Sequence, residues 1–324
     1  MYEEFFGLAE RPFELTPNPR YLYLFPQHRE ALATLKYGIS TARGLTLLLG
    51  EAGTGKTTLI RAALHDQTHG DILCVSLGNP TLTRSEFVHF LADEFSLSRD
   101  AAASKVVLLR ELKVLLEERR ARGATTVLLI DEAQSLPYEL LEEVRLLANL
   151  ETDTDKLLPV VLAGQPELAD RLNEPSLRQL KQRVAIRCTV TPLNVDAAAA
   201  YVLARVRKAG GTASKIFTRE AIEQIYNHSK GIPRTVNVIC DNVLLAAFAR
   251  AEKPVTSRLV AEVCASLDLP RDGDGNADVV RLATPAPTAP PEAEPASRPV
   301  SPGAQEDGLG FLDAVARARR SWRP

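Results

Sequence analysis

The chain has 324 residues, of which 45% are hydrophobic and 25% charged, with a formal net charge of −2. That length holds two ordinary domains, and the near-neutral balance excludes a polybasic nucleic-acid binder acting through bulk charge, though not a local basic face. The acidic start Met1-Tyr2-Glu3-Glu4-Phe5-Phe6 has no secretory apolar core, and no run reaches the roughly 18 apolar residues of a membrane-spanning helix, so the chain is expected in the cytoplasm.

The first strong element is the apolar run Leu45-Thr46-Leu47-Leu48-Leu49, read as a strand. Gly50-Glu51-Ala52-Gly53-Thr54-Gly55-Lys56-Thr57 follows, then a helical stretch from Thr57 to Leu64. Strand, G-x-x-x-x-G-K-[ST] and helix together form a phosphate-binding loop in its proper setting. The glycines let successive N–H groups curl around one anion, and the helix N-terminus adds partial positive charge. Lys56 can reach β- and γ-phosphates, and Thr57 can offer a hydroxyl to Mg²⁺. Gly50, Glu51, Ala52, Gly53, Thr54, Gly55, Lys56, Thr57 and Thr58 are therefore the candidate nucleotide-binding set.

A second strand spans 71–77. A helix over 83–95 opens with the capping signature Thr83-Arg84-Ser85-Glu86. Another helix, 104–122, carries Val107, Leu108, Leu112, Leu115 and Leu116 at helical spacing. The continuous apolar run 125–130 suits a strand buried on both faces. It delivers Asp131 and Glu132, where an Asp can help hold Mg²⁺ and a following Glu can deprotonate an attacking water. A helix over 137–148 precedes a fourth strand, 157–163, which ends in Gly164-Gln165. Gln165 is read as a γ-phosphate sensor; the plainer alternative is a cap for a helix starting near Pro166. The segment Leu177-Arg178-Gln179-Leu180-Lys181-Gln182-Arg183 leads into a fifth strand, 184–190. Arg183, with Arg178 as second choice, is read as an arginine finger reaching a neighbouring subunit's nucleotide. Strands alternating with helices imply a parallel sheet covered on both faces.

From Asn194 strands disappear, and helices are expected near 195–207, 218–229, 233–251 and 256–267. A small helical lid after an α/β nucleotide domain is the natural reading. Gly231-Ile232-Pro233-Arg234 opens one of these helices. A cation at a helix start opposes the dipole, which makes sense if Arg234 faces a γ-phosphate. Residues 269–307 are rich in Pro, Ala, Gly and acidic residues and read as a disordered linker. The run Asp272–Asp278 has an EF-hand flavour, but Ala277 and Ala283 stand where that loop needs Gly and Glu, so calcium is rejected. The segment 311–322 places Phe311, Val315 and Trp322 on one helical stripe and reads as a tethered docking peptide or a frayed tail. Cys74, Cys188, Cys240 and Cys264 lie far apart and read as buried free thiols in a reducing compartment.

Four segments together resemble one family: Phe5-Phe6-Gly7-Leu8 with Arg11-Pro12-Phe13 and Thr16-Pro17-Asn18-Pro19; the loop Gly50–Thr57; Leu129-Ile130-Asp131-Glu132-Ala133-Gln134; and Ala163-Gly164-Gln165-Pro166-Glu167-Leu168 with Gly231-Ile232-Pro233-Arg234. The chain resembles the AAA+ ATPases of the general secretion pathway protein A type over about residues 1–268. The fold so implied is α/β, an AAA+ P-loop sheet over 44–192, a helical lid over 193–268 and a tail over 269–324. The resemblance places the N-terminal segment and helix, 1–43, beside the nucleotide, with Pro26 to Tyr37 near adenine. It implies an ATP- and Mg²⁺-dependent hydrolase that forms a ring or filament. Its expected partner is an envelope-assembly protein at the inner membrane, serving secretion, pilus or polysaccharide export. Members often continue into a membrane helix and a peptidoglycan-binding domain, so this chain is expected to act like the shorter soluble relatives.

Asp131-Glu132-Ala133-Gln134 also resembles transposition-helper ATPases, which polymerise on DNA. Arg178, Lys181, Arg183, Arg187 and Arg205, Arg207, Lys208 supply basic clusters for that alternative. A third reading is a slowly hydrolysing scaffold that recruits a partner through its tail.

Overall fold

A computed structural model describes residues 1–15, 21, 23–65, 71–78 and 81–269. All lie within one compact unit, Met1–Leu282. The run 272–278, the segment 311–322 and Thr16-Pro17-Asn18-Pro19 fall outside the described residues.

Five strands form one parallel sheet in the order β2-β3-β4-β1-β5. They are β1 (Leu45–Gly50), β2 (Ile72–Leu77), β3 (Thr125–Ile130), β4 (Val160–Gly164) and β5 (Val184–Val190). These match the five strands expected from the sequence, with one shift: β4 begins at Val160 rather than 157. Pro159 has no N–H to give the ladder, and only its carbonyl takes part, accepting from the Leu128 N–H at 3.0 Å. β1 is central, and all six of its residues are buried. Leu45, Leu47 and Leu49 face one apolar cluster, while Leu48 faces another on the opposite side. That alternation is the two-residue strand period, and it accounts for an apolar run covered on both faces.

One face is covered by α4 (Arg84–Glu94), α6 (Lys105–Ala121) and α7 (Tyr138–Leu147), which bury Phe87, Leu91, Leu112 and Leu141 against the sheet. The other is covered by α2 (Pro26–Ser40) and α3 (Lys56–His65), through Leu35, Ile39, Leu59 and Ile60. The capping box at α4 forms: Thr83 Oγ1 accepts from the Glu86 N–H at 3.3 Å, and Glu86 accepts from the Thr83 N–H at 2.7 Å. Short helices carry little periodicity, and of those here the sequence marks only the one starting near Pro166. They are α1 (Tyr2–Phe6), α5 (Arg99–Ala103), α8 (Glu167–Leu172), α9 (Arg178–Lys181) and α11 (Ala213–Ile216).

The helices after the sheet are α10 (Val195–Lys208), α11, α12 (Arg219–Ser229), α13 (Pro233–Ala249) and α14 (Ser257–Ser266). Their shared core also takes in Tyr2, Phe6, Leu8, Phe13 and Phe25. Tyr2 donates its hydroxyl to Asp241 at 2.5 Å, and the Ala9 N–H donates to the Ala209 carbonyl at 2.8 Å. The first residues of the chain thus complete the helical bundle, whereas α2 packs on the sheet. Cys188, Cys240 and Cys264 are buried, Cys74 is half-buried, and all four are free thiols. Burial pushes Cys74, Cys188 and Cys264 up to about 11, which keeps them protonated and unreactive near neutral pH. No helix among the described residues is long and apolar enough to cross a membrane.

Candidate nucleotide-binding site

The C-terminal ends of β1 and β3 stand opposite the start of α13 in the helical bundle. Between them lies a cavity of about 410 Å³, lined by the loop from Gly53 to Thr58, by Glu132, and by Pro233 and Arg234 of the bundle. In open parallel sheets this edge is where ligands bind.

The loop takes the shape its glycines allow. Gly53 and Gly55 have φ of +81° and +98°. At Gly53 a Cβ would stand 2.8 Å from the Cβ of Arg234. At Gly50 it would stand 2.6 Å from the Val190 carbonyl oxygen. Lys56 is 4% exposed, and its ammonium donates only to backbone carbonyls, Gly50 at 2.8 Å and Glu51 at 3.1 Å. Among the described residues it has no carboxylate partner. A buried charge so placed is costly unless an anion completes it, and a phosphate fits that need. The Thr57 hydroxyl donates to Asp131 Oδ2 at 2.7 Å, which brings the ends of β1 and β3 together. No group of three or more His, Cys, Asp or Glu side chains forms a metal cage among the described residues. Two oxygens beside a phosphate loop instead suit Mg²⁺, which keeps waters and shares its shell with phosphate.

Glu132 follows Asp131 in the left-handed conformation, with φ +51°. A non-glycine residue held there marks stored strain, common where a side chain must be aimed. Its Oε2 accepts from Gln134 Nε2 at 2.6 Å and from Gln165 Nε2 at 3.4 Å. Gln165 therefore turns toward Glu132 and does not cap α8, whose N-cap is Pro166 and has no side-chain cap. The sequence reading gave Gln134 no role. Its only local signal was an amide two residues beyond the paired acids.

Arg234 opens α13 and lines the cavity; its backbone N–H donates to the Gly53 carbonyl at 3.2 Å. Arg183 and Arg178 are exposed and do not line the cavity. Arg183 precedes β5, whose Val184 pairs with Leu45 while Val190 pairs with Gly50. At about 3.3 Å per residue, Arg183 stands roughly 20 Å from its own phosphate loop. From there its side chain does not reach its own phosphate loop.

The cavity is also lined by the aromatic residues Tyr21, Tyr23, Phe25 and Tyr201. His28 lies there at 7% exposure, and its Nδ1 has no partner among the described residues. Burial holds this imidazole below its ordinary value of 6.5, against a hydrogen bond to the Thr54 backbone that pulls the other way. An orphaned acceptor in an aromatic pocket fits the exocyclic amino group of adenine. Arg205 is also buried. It donates to Tyr201 Oη at 2.6 Å and to the Pro12 carbonyl at 2.5 Å, with its guanidinium 4.8 Å from the Tyr21 ring. It is therefore withdrawn from the surface basic cluster in which the sequence placed it.

Residues 39–172 match a family model described as an AAA domain. The chain is 45% identical over 256 residues, 79% of its length, to general secretion pathway protein A of Aeromonas hydrophila, covering 46% of that protein. It is 32% identical over 144 residues, 44% of its length, to the Mu-like prophage FluMu DNA transposition protein B of Haemophilus influenzae, covering 45% of it. The chain thus spans about half the length of these curated relatives. Among solved structures, the Aeropyrum pernix ORC2 protein matches with a TM-score of 0.58 at 14% identity, over 79% of this chain and 71% of that one, a likeness of fold alone. With its β2-β3-β4-β1-β5 sheet, its phosphate loop and its AAA domain match, the chain has the AAA+ P-loop fold and is similar over 79% of its length to general secretion pathway protein A.

Proposed function

We propose that the chain binds and hydrolyses ATP with Mg²⁺ and self-associates through its nucleotide sites to drive or regulate an envelope secretion, pilus or polysaccharide-export assembly. The observation that carries the nucleotide part is the buried Lys56 ammonium, held by carbonyls alone inside a loop too tight for any Cβ at Gly50 or Gly53.

In this reading the loop N–H groups and Lys56 bind the β- and γ-phosphates. Thr57 and Asp131 would hold Mg²⁺, which supplies neutralisation of phosphate charge. Glu132 takes a proton from the attacking water. Gln165 and Arg234 sense the γ-phosphate from the same subunit, and Arg183 or Arg178 stabilises transition-state charge from a neighbour. A subunit interface that includes the γ-phosphate is stronger with ATP than with ADP, so hydrolysis alters assembly. The helical bundle acts as the lid, and residues 1–43 link it to the sheet beside the nucleotide. The envelope role rests on the likeness to general secretion pathway protein A. In this reading the chain works in the cytoplasm, held at the inner membrane through a partner protein.

The likeness to a DNA transposition protein favours a second reading, an ATPase that polymerises on DNA. Arg178, Lys181, Arg183, Arg187, Arg207 and Lys208 remain exposed for it, without Arg205. Steady-state ATP hydrolysis by the full chain, with and without duplex DNA at physiological salt, tests both. Mg²⁺-dependent hydrolysis indifferent to DNA is expected. Strong stimulation by DNA reverses the order of the two readings, and absence of both ATP binding and hydrolysis overturns the enzymatic one.

A further inference from the structure

We infer that Gln134 is the positioning residue of Glu132: it fixes one carboxylate oxygen so that the other alone meets the attacking water. This rests on the proposed ATP hydrolysis and adds a residue that the motif reading leaves without a role.

Gln134 lies in the single 3₁₀ turn Ala133–Ser135 that follows Glu132. The left-handed backbone at Glu132 reverses the chain there, so the amide returns toward the carboxylate instead of running on into solvent. Gln134 is held at three points. Its Nε2 donates to Glu132 Oε2 at 2.6 Å. Its Oε1 accepts the main-chain N–H of Gln165 at 3.1 Å. Its own backbone carbonyl accepts from Arg171 Nη1 of α8 at 2.5 Å.

The amide can point only one way. A main-chain N–H cannot accept, so the atom facing Gln165 N–H must be the oxygen, and the NH₂ is left for Glu132. Gly164 makes the approach possible, because a Cβ there would stand 2.9 Å from Gln134 Oε1 and 2.7 Å from Leu168 Cδ2. The glycine at the end of β4 is thus matched to the amide at the end of β3.

The arrangement has a chemical consequence. Oε2 of Glu132 takes the short bond from Gln134 and the longer one from Gln165, while no protein donor among the described residues reaches Oε1. Oε1 is the oxygen left free of protein donors, on a residue that lines the cavity. Gln165 is attached to the device twice, by its main-chain N–H to Gln134 and by its side chain to Glu132. Its side chain can swing toward a γ-phosphate and leave the shorter bond in place, so Glu132 stays aimed after the sensor has turned. Misplacement of a reacting group by about 1 Å can lower a rate about 10²-fold.

The test is a double-mutant cycle on the full chain, read by single-turnover hydrolysis and by ATP affinity. Gln134→Met keeps the length and removes both amide functions. It should lower the hydrolysis rate about tenfold or more, with ATP Kd and KM within about twofold of wild type. In the Glu132→Gln background, Gln134→Met should change the residual rate by less than about twofold, since its effect passes through the carboxylate. Gln134→Asn keeps the amide on a chain one carbon shorter and should fall as far as Gln134→Met, which guards against a Met variant that does not fold. Equal losses in both backgrounds, or a wild-type rate in Gln134→Asn, overturn the proposal while leaving ATP hydrolysis intact. A wild-type chain that hydrolyses no ATP overturns both readings together.

Discussion

The Arg234 N–H donates to the Gly53 carbonyl across 3.2 Å, which ties the first turn of α13 directly to the phosphate loop. The two residues are also in side-chain register: a Cβ on Gly53 would meet Arg234 Cβ at 2.8 Å and Ile232 Cγ2 at 3.1 Å. The loop and the helical bundle are thus set against each other by the absence of one methyl group.

Gly53→Ala is expected to damage both partners of that contact. The left-handed backbone alone costs an alanine roughly 1–2 kcal/mol, before the clash with α13 is counted. The denaturation midpoint should fall, and ATP affinity should drop about tenfold or more. Isothermal titration and a denaturant series check this; unchanged values in both would show that the loop and bundle move apart freely.

Glu132→Gln preserves shape and hydrogen-bonding reach but removes the proton acceptor. Hydrolysis should fall about 10²- to 10⁴-fold, with ATP Kd within about twofold of wild type. The variant should also accumulate the ATP-bound assembly, visible as a larger species by light scattering. Hydrolysis at the wild-type rate would remove Glu132 from the chemistry.

Arg183 sits at the opposite end of the sheet from its own loop, because β5 runs parallel to β1 with Val184 beside Leu45. A trans role makes a specific forecast for mixtures. Arg183→Ala and Glu132→Gln should each be nearly inactive alone. Mixed one to one, they should recover activity, since some interfaces pair an intact Glu132 with an intact Arg183. A mixture no better than its components, with Arg178→Ala behaving as the active partner instead, would move the role to Arg178.

His28 gives a pH signature. Burial lowers its pKa in the folded chain below the ordinary 6.5, so the unfolded chain takes up a proton first as pH falls. Its contribution is complete above about pH 6.5 and declines as the pH drops toward the lowered value. His28→Leu should therefore lose less stability than wild type between pH 7.5 and 5.5 in urea denaturation. If Nδ1 accepts from the adenine amino group, the same variant should discriminate less between ATP and GTP. Parallel pH profiles in the two proteins would show that His28 titrates alike folded and unfolded.

Much of this architecture is written locally. The runs at 45–49 and 125–130 carry only apolar residues and threonine because both faces of their strands are covered, and that pattern is visible in one dimension. Thr83 and Glu86 announce a helix start because the capping box is satisfied within four residues. The loop Gly50–Thr57 is legible for the same reason, since its conformation depends on its own glycines.

What the tertiary structure decided is which distant residues meet. Placing β1 between β4 and β5, with β3 beyond β4, carries Thr57 to Asp131 and Gln165 to Glu132, contacts spanning 74 and 33 positions. Nothing near Gln134 in sequence tells that Gly164 leaves room for its oxygen. Arg205 looked like one more surface cation until Pro12, Tyr21 and Tyr201 closed around it. The division of residues 1–43 between bundle and sheet follows from where Phe13 and Leu35 find apolar partners. Periodicity and motif report the conformation of neighbouring residues. Burial and hydrogen-bond partnership between remote ones arise only when the chain is closed on itself, because those energies belong to pairs that no sequence window contains.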